Sequence, residues 1–469
     1  MESSIDRGWS WVVVIAVFGT SVLSFGFLQS TSVFFVDWQE DLNASAQMIG
    51  WCSAISIAGI GLAGLVSSVI SSYVSCRWQA FIGGLITTTA LACSNWVTHV
   101  LHLHAIMCFI GFGTGIAYIN CFVIVGFYFN KKLGLANGLG SCGSGMGILI
   151  LSPLIRYLND EYSWRGAMLI CSGILGNLCV FAALFRMSKA EKKSMLGFRP
   201  EIVWESENKE DSMSNDEIGN DRSKRRIKSE MTQLSRKPSK RRHSVAQNVR
   251  RHSSAFVKSY TSVLSIRFVM ICLVYSFFVG FGYFASIMFF VSNAVNLGVS
   301  KRDAAFLFSI VGIGGAIGRL GQGPILDKKS MTPFQFASLM LGISGTSCLL
   351  GSLARSYPAL AIFSATLGFS TSAGNVVFPL MVRAVVGVNH VKKIFGVGII
   401  IGQCGAIISL PLIGRLYDTT GEYAMAFYIS GGVMLLNSII ALLDPVWIKL
   451  DRRRLGTNER DVYDEQELG

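Results

Sequence analysis

Charged side chains are scarce in this 469-residue chain. Asp, Glu, Lys and Arg together make up 15% of the residues, whereas hydrophobic residues make up 51%. This imbalance excludes an ordinary soluble domain, in which about a quarter of the residues are charged, and it indicates a membrane protein with several crossings. The sequence also lacks a nucleophile beside a base, a phosphate-binding glycine loop and a set of metal ligands. We therefore expect no enzyme, no metal and no cofactor.

Apolar segments long enough to cross a hydrocarbon core of about 30 Å recur in two groups of six. The first group lies near residues 10–36, 48–72, 79–98, 103–127, 134–158 and 165–186; the second lies near residues 265–292, 303–325, 332–353, 358–386, 394–417 and 423–443. We predict an all-α membrane protein with twelve transmembrane helices in two six-helix bundles. The predicted domains are bundles at 1–186 and 264–445, a linker at 187–263 and a tail at 446–469.

The two halves also resemble each other in sequence. Residues 138–160 and 396–418 align without a gap, so that Pro153-Leu154-Ile155 meets Pro411-Leu412-Ile413 and Asp160 meets Asp418. These segments are the fifth and eleventh predicted spans, six helices apart. Such a duplication is typical of transporters in which two similar bundles rock about a central site.

The basic residues predict the orientation in the membrane. With the N-terminus inside, pairs such as Lys131-Lys132 and Lys392-Lys393 fall on the cytoplasmic face, which places both termini in the cytoplasm. The opening segment lacks the features of a cleaved signal peptide, so we expect the first span to be retained. Topology accounts for the net charge of +13, and a nucleic-acid partner is not needed to explain it.

The predicted linker changes from acidic to basic along its length. It holds eight acids from Glu201 to Asp221, and residues 222–258 then hold thirteen Lys or Arg against one acid. Its composition predicts disorder. The basic part either lies on the anionic inner leaflet or is simply solvated. Ser244 and Ser253 each end an RRHS sequence and are candidate phosphorylation sites, because a phosphate there would lower the local positive charge.

Two short motifs point to a known family. DRGWSW precedes the first span, and YFNKKLGLANGLGSCGSG opens the fifth. They resemble the two signatures of the monocarboxylate transporter family of the major facilitator superfamily, although Arg7 and Ser10 depart from the first pattern. The matching residues are Asp6, Gly8, Trp9, Trp11, Tyr128, Phe129, Lys131, Lys132 and Gly138. The resemblance implies the major facilitator fold, a plasma-membrane location and a single-span immunoglobulin-like glycoprotein as a partner.

Three further positions decide how far the resemblance extends to mechanism. In the proton-coupled members, a lysine on the first span and an Asp-x-x-x-Arg pair on the eighth bind the substrate anion and the proton. The corresponding residues here are Gln29, Gly315 and Arg319, so only the arginine remains. Gln29 and Gly315 cannot titrate, and we therefore predict that this chain departs from the proton-coupled pattern.

Arg319 is the main candidate for substrate binding, because a guanidinium offers a planar fork to a carboxylate. The alternatives are a side chain that reaches the membrane surface or one that bonds a backbone carbonyl. Gln29, Asn120 and Asn375 are further candidates for polar substrate contact, although buried amides often bridge helices instead. Tyr283 and Phe284 could line the cavity, but aromatic residues on a membrane helix are interpreted as core residues by default.

Three functions are compatible with the sequence. The first is a plasma-membrane secondary transporter, a symporter by family pattern, of a monocarboxylate or related carboxylate-bearing small molecule. The second is a proton-independent facilitator of an amino acid or another zwitterion. The third is a non-transporting sensor or scaffold that signals through the linker. Measured flux distinguishes the third from the others, and the pH dependence of flux distinguishes the first two.

Overall fold

The computed structural model describes residues 8–71, 73–129, 132–187, 191, 267–327 and 331–443. Residues 1–191 and 268–469 form one compact unit, and residues 192–267 are grouped as a second one. Almost all of the second unit lies outside the described residues, and so do the predicted sites Asp6, Lys131, Ser244 and Ser253.

The described part of the chain is helical and contains no strand. Its helices are α1 (Trp9–Leu42), α2 (Ala46–Ile70), α3 (Cys76–Ala92), α4 (Val100–Tyr128), α5 (Leu133–Leu175), α6 (Asn177–Leu184), α7 (Arg267–Met288), α8 (Phe290–Asn296), α9 (Lys301–Asp327), α10 (Pro333–Gly351), α11 (Tyr357–Thr371), α12 (Ala373–Thr420) and α13 (Ala424–Leu442). We call α1 to α6 the N-terminal half and α7 to α13 the C-terminal half.

Nine helical stretches in the described part are long and apolar enough to cross a membrane. One of them, Gly134–Leu184, has 51 residues, which at about 1.5 Å per residue far exceeds a single crossing. It is interrupted at Ser163, whose φ of 57° is not helical, between the predicted fifth and sixth spans. The all-helical membrane class is thus confirmed, while the count of twelve and the domain boundaries stay predictions.

The starts and ends of the helices follow from local chemistry. Thr332 begins α10 with a capping box, in which its hydroxyl accepts from the Gln335 amide and the Gln335 side chain accepts from the Thr332 amide. Gly421 ends α12 at a φ of 73°, a conformation that favours glycine. Large apolar side chains such as Val69 and Ile362 are 70% and 67% exposed, as expected of surfaces that face lipid.

The halves approach each other most closely where glycine removes the side chain. A Cβ built on Gly145 of α5 would lie 2.8 Å from the Gly312 oxygen and from the Ala316 nitrogen of α9. A Cβ on Gly50 of α2 would lie 2.7 Å from the Leu410 oxygen of α12. Because α5 and the later part of α12 carry the repeated sequence, the two contacts are equivalent under the duplication. Small residues therefore form the seams between the halves.

We predict that Gly145→Ala lowers the melting temperature of the purified protein by several degrees. The added methyl group forces α5 and α9 apart, and overpacking of this kind costs about 1–3 kcal/mol. Gly138→Ala on the same helix is the matched control, since nothing lies within 4 Å of its Cβ position. Equal melting temperatures for the two variants would contradict the close packing at Gly145.

Candidate functional site

The two sequence signatures lie side by side in the N-terminal half. The indole nitrogen of Trp9 donates to the Leu184 oxygen at 3.2 Å, and the Arg186 guanidinium lies 3.6 Å from the centre of the Trp9 ring. The Tyr128 hydroxyl donates to the Arg186 oxygen at 2.6 Å. These contacts join the start of α1, the end of α4 and the end of α6.

A second set of contacts extends this signature cluster. Trp11 packs edge-on against Phe129 with ring centres 5.4 Å apart, and the Lys132 ammonium lies 5.9 Å from the Trp11 ring. Gly8 begins α1 at a φ of 57°, which explains glycine at that position. The signature residues in the described part thus hold the helices of one half together, at the end of α1 that we call the Trp9 end.

Gln29 lies where α1 departs from regular helical geometry. A π turn at Val22–Gly26 precedes it and a 3-10 turn at Thr31–Phe34 follows it. Such irregular turns often occur at functional sites. The Gln29 side chain is 3% exposed, and its amide nitrogen donates to the Tyr283 hydroxyl of α7 at 2.8 Å. Its amide oxygen is buried without a hydrogen-bond partner.

Arg319 lies in the same cluster. It is 6% exposed, and its Nε is buried without a hydrogen-bond partner. The guanidinium interacts with the Tyr283 hydroxyl and acts electrostatically on Tyr118 of α4 and Cys142 of α5. Its side chain therefore faces the helices of both halves and not the membrane surface.

Position 315 is the spatial neighbour of Arg319 that the i, i+4 spacing predicts. A Cβ built on Gly315 would lie 3.2 Å from a terminal nitrogen of Arg319. An aspartate there would pair with the guanidinium, whereas glycine leaves the cation without that partner. The described part of α9 contains no acid between Asp303 and Asp327. The described part of α9 thus presents a cation here but no carboxylate that could carry a proton.

The two asparagine candidates have different outcomes. The Asn120 amide nitrogen donates to the Ser67 hydroxyl at 2.9 Å, to the Gln79 side-chain oxygen at 3.3 Å and to the Ile116 oxygen at 2.9 Å. It therefore bridges α2, α3 and α4, which is the helix-bridging alternative stated above. Asn375 lies in α12, but its side chain is outside the described residues.

Tyr283 and Tyr118 lie beside Arg319, although the sequence did not single out either as a site residue. Tyr283 was interpreted as core, yet its hydroxyl joins Gln29 to Arg319. The Tyr118 ring lies with its centre 4.2 Å from that of Phe25 of α1, tilted by 40°, and both rings are half-buried. Aromatic residues abound in these helices, and no pattern in the sequence distinguishes these two from their neighbours.

The halves are also joined by charges at the opposite end of α1, which we call the Asp37 end. Asp37 accepts from Arg156 of its own half at 2.8 Å and from Lys301 of the other half at 3.0 Å. Lys301 also lies 2.8 Å from Glu40. The Asp418 carboxylate of α12 accepts from the first two backbone amides of α2 at 2.8 and 2.9 Å, where the helix dipole favours a negative charge. The Asp37 end is thus closed.

Comparison with known proteins agrees with this architecture. The family profile of the Major Facilitator Superfamily matches residues 17–346. A solved POT family transporter in complex with a thioalcohol-conjugated peptide superposes with a TM-score of 0.65 at 15% identity, covering 93% of this chain and 96% of that one. The chain is therefore a secondary transporter of the major facilitator fold.

Curated relatives define the family within that class. Monocarboxylate transporter 2 of Mesocricetus auratus is 30% identical and is aligned over 92% of this chain and 83% of its own. Monocarboxylate transporter 12 of Xenopus laevis is 27% identical over 99% of this chain and 94% of its own. The chain belongs to the monocarboxylate transporter family. That Gln29 and Gly315 make it a member that departs from the proton-coupled pattern stays a prediction.

We predict that Lys301→Glu lowers the melting temperature of the purified protein, because attraction to Asp37 and Glu40 becomes repulsion. Adding Glu40→Lys should restore part of the loss, with a coupling of about 0.2–1 kcal/mol for this partly exposed pair. Lys301→Arg serves as the control that keeps the charge. A Lys301→Glu variant as stable as the starting protein would show that these ion pairs do not hold the halves together.

Proposed function

We propose that this chain is a plasma-membrane transporter of a monocarboxylate or a related carboxylate-bearing small molecule, working by alternating access. The observation that carries the proposal is the buried Arg319 guanidinium, which lies between the halves with an unpartnered Nε and no acidic neighbour on its own helix. A buried cation is costly unless an anion accompanies it. A substrate carboxylate supplies that anion and fits the planar fork of the guanidinium.

The mechanism uses the two ends of the molecule differently. In the proposed orientation the Asp37 end faces the outside, and both termini and the predicted linker are cytoplasmic. The described contacts then represent a carrier closed to the outside, with Lys301 and Asp418 reaching across to the N-terminal half. Rocking about the glycine seams would separate these charges at the Asp37 end and expose Arg319 to the outside. A single-span immunoglobulin-like glycoprotein is the proposed partner for delivery to the surface.

A proton-independent facilitator of an amino acid or another zwitterion is the second candidate. The observation in its favour is that neither Gln29 nor Gly315 can exchange a proton, although both lie beside the groups that surround Arg319. Uptake of amino acids or other zwitterions that does not change with outside pH supports this candidate, and uptake of monocarboxylates without an amino group supports the first. A non-transporting sensor is the third, and it predicts no flux for any carboxylate or amino acid.

Substitution of Arg319 tests the proposal directly. Arg319→Gln should remove most uptake without loss of surface protein, and Arg319→Lys should keep the charge but weaken substrate affinity about tenfold because the two-pronged geometry is lost. The measurement is uptake of labelled carboxylates and amino acids, per molecule of surface protein, in cells without endogenous carriers.

Arg302→Gln is the matched control, since Arg302 is an exposed arginine at the start of the same helix. It should transport like the starting protein. Retention of full uptake by Arg319→Gln would refute a role for Arg319 in binding the carboxylate.

A further inference from the structure

We propose that the Asp418 carboxylate is a latch that keeps the Asp37 end shut by capping a helix of the opposite half. The latch is made when the Asp37 end is closed and is released when that end opens. Asp418 therefore sets how the chain divides between conformations that are closed and open at this end. The proposal rests on the alternating access of the proposed function, but it depends on neither the substrate nor Arg319.

Both oxygens of Asp418 accept hydrogen bonds from the other half of the molecule. Asp418 lies near the end of α12, and it accepts from the Ala46 amide at 2.8 Å and from the Gln47 amide at 2.9 Å. These two residues are the first of α2. The first amides of a helix have no acceptor inside the helix, and its N-terminus carries a partial positive charge. One carboxylate thus satisfies two donors and the dipole of a helix in the other half.

The N-terminal half supplies another part of this cap itself. Ser45 precedes α2, and its hydroxyl accepts from the Met48 amide at 3.3 Å. That hydroxyl satisfies the third amide of the helix and leaves the first two to Asp418. The start of α2 therefore has its full cap only while the halves meet. When they separate, water must take the place of the carboxylate at these two amides.

A glycine one turn before Asp418 allows the carboxylate to reach the start of α2. A Cβ built on Gly414 would lie 2.6 Å from the Gln47 Cα and would also overlap the Ala46 oxygen. Two carbon atoms that are not bonded cannot approach so closely, so any side chain at position 414 would push α12 away from α2. The backbones of the two helices thus touch beside the carboxylate, and the cap and the close packing form one contact.

The equivalent aspartate of the other half forms its described bonds within that half. Under the duplication, Asp160 is the equivalent of Asp418, and Arg156 is the equivalent of Gly414. The Arg156 guanidinium donates to Asp160 at 2.6 Å and to Asp37 at 2.8 Å, and all three residues belong to the N-terminal half. The arginine thus holds its aspartate in its own half, whereas glycine in its place leaves Asp418 able to cross. The two seams are therefore closed by different chemistry.

The strength of the latch suits a contact that forms and breaks in every cycle. Asp418 is exposed, so water can solvate the carboxylate and the two amides once the halves separate. The contact is therefore comparable to a helix cap and weaker than a buried ion pair, and a lost cap changes an equilibrium by about three- to tenfold. A change of this size shifts the balance between two conformations without fixing the carrier in one of them.

Hydrogen exchange of the purified full-length protein tests the latch without any substrate. Asp418→Asn keeps the shape of the side chain but turns one of the two acceptors into an N–H donor that faces an amide. We expect the amides of residues 154–160 and 301–306, which lie at the Asp37 end on the other seam, to exchange about three- to tenfold faster in this variant. A carrier that opens at one end closes at the other, so residues 9–15 and 133–139 at the Trp9 end should exchange more slowly.

A second variant tests the same contact by sterics. Gly414→Ala keeps the carboxylate, but its methyl group pushes α12 away from α2, so exchange should change in the same direction at both ends. Glu422→Gln is the matched control, because it removes an exposed negative charge four residues after Asp418. It should leave exchange at both ends unchanged.

Faster exchange confined to residues 46–50 in Asp418→Asn would overturn the proposal, since it would show that Asp418 caps α2 without holding the halves together. Faster exchange at both ends would overturn it too, because that pattern indicates general loosening. Faster exchange at the Asp37 end with no change at the Trp9 end would support the latch and contradict the alternating access of the proposed function.

Discussion

The buried cation Arg319 imposes the main constraint on this molecule, because the described part of its helix carries no acid between Asp303 and Asp327. An arginine at such depth costs about 2.5–3.5 kcal/mol on insertion scales, and in this chain the usual aspartate partner is replaced by Gly315. Arg319 acts electrostatically on Tyr118, Tyr283 and Cys142, which interact with the cation but do not neutralise it. In the proposed function the remaining charge makes the space between the halves a site for an anion, and the replacement of the family's lysine and aspartate by Gln29 and Gly315 separates anion binding from proton exchange.

The surrounding packing holds the cation in that position. Gly145 and Gly312 allow α5 and α9 to touch along their backbones, so that the helix bearing Arg319 lies against the N-terminal half. The π and 3-10 turns of α1 carry Gln29 to the same place from the other side. At the Asp37 end, ion pairs and a helix cap join the halves through groups that water can solvate once they separate. In the proposed conformational cycle, the close apolar seams and the partly buried charged contacts serve different functions.

The sequence predicted the parts of this picture that depend on spacing along the chain. Hydropathy predicted the helical membrane class, and the Asp-x-x-x-Arg register placed Gly315 beside Arg319. The sequence did not predict that the two signatures contact each other. They meet through Trp9, Tyr128 and Arg186, which is a tertiary contact between distant segments. The contact between Tyr283 and Gln29 was not predicted for the same reason, because only the three-dimensional arrangement brings the Tyr283 hydroxyl to Gln29. The sequence did not show which groups the Asn120 amide contacts. Its partners Ser67 and Gln79 lie on neighbouring helices and are known only from the structure.

Proton counting during binding tests the central claim most directly. Titration calorimetry of the purified protein with a carboxylate that it transports, repeated in buffers of different ionisation enthalpy, gives the number of protons taken up per substrate bound. Because neither Gln29 nor Gly315 titrates at the two positions that exchange protons in the proton-coupled pattern, the account predicts a value near zero around neutral pH. Uptake of close to one proton per substrate would contradict it and would show that another group carries a proton with the anion.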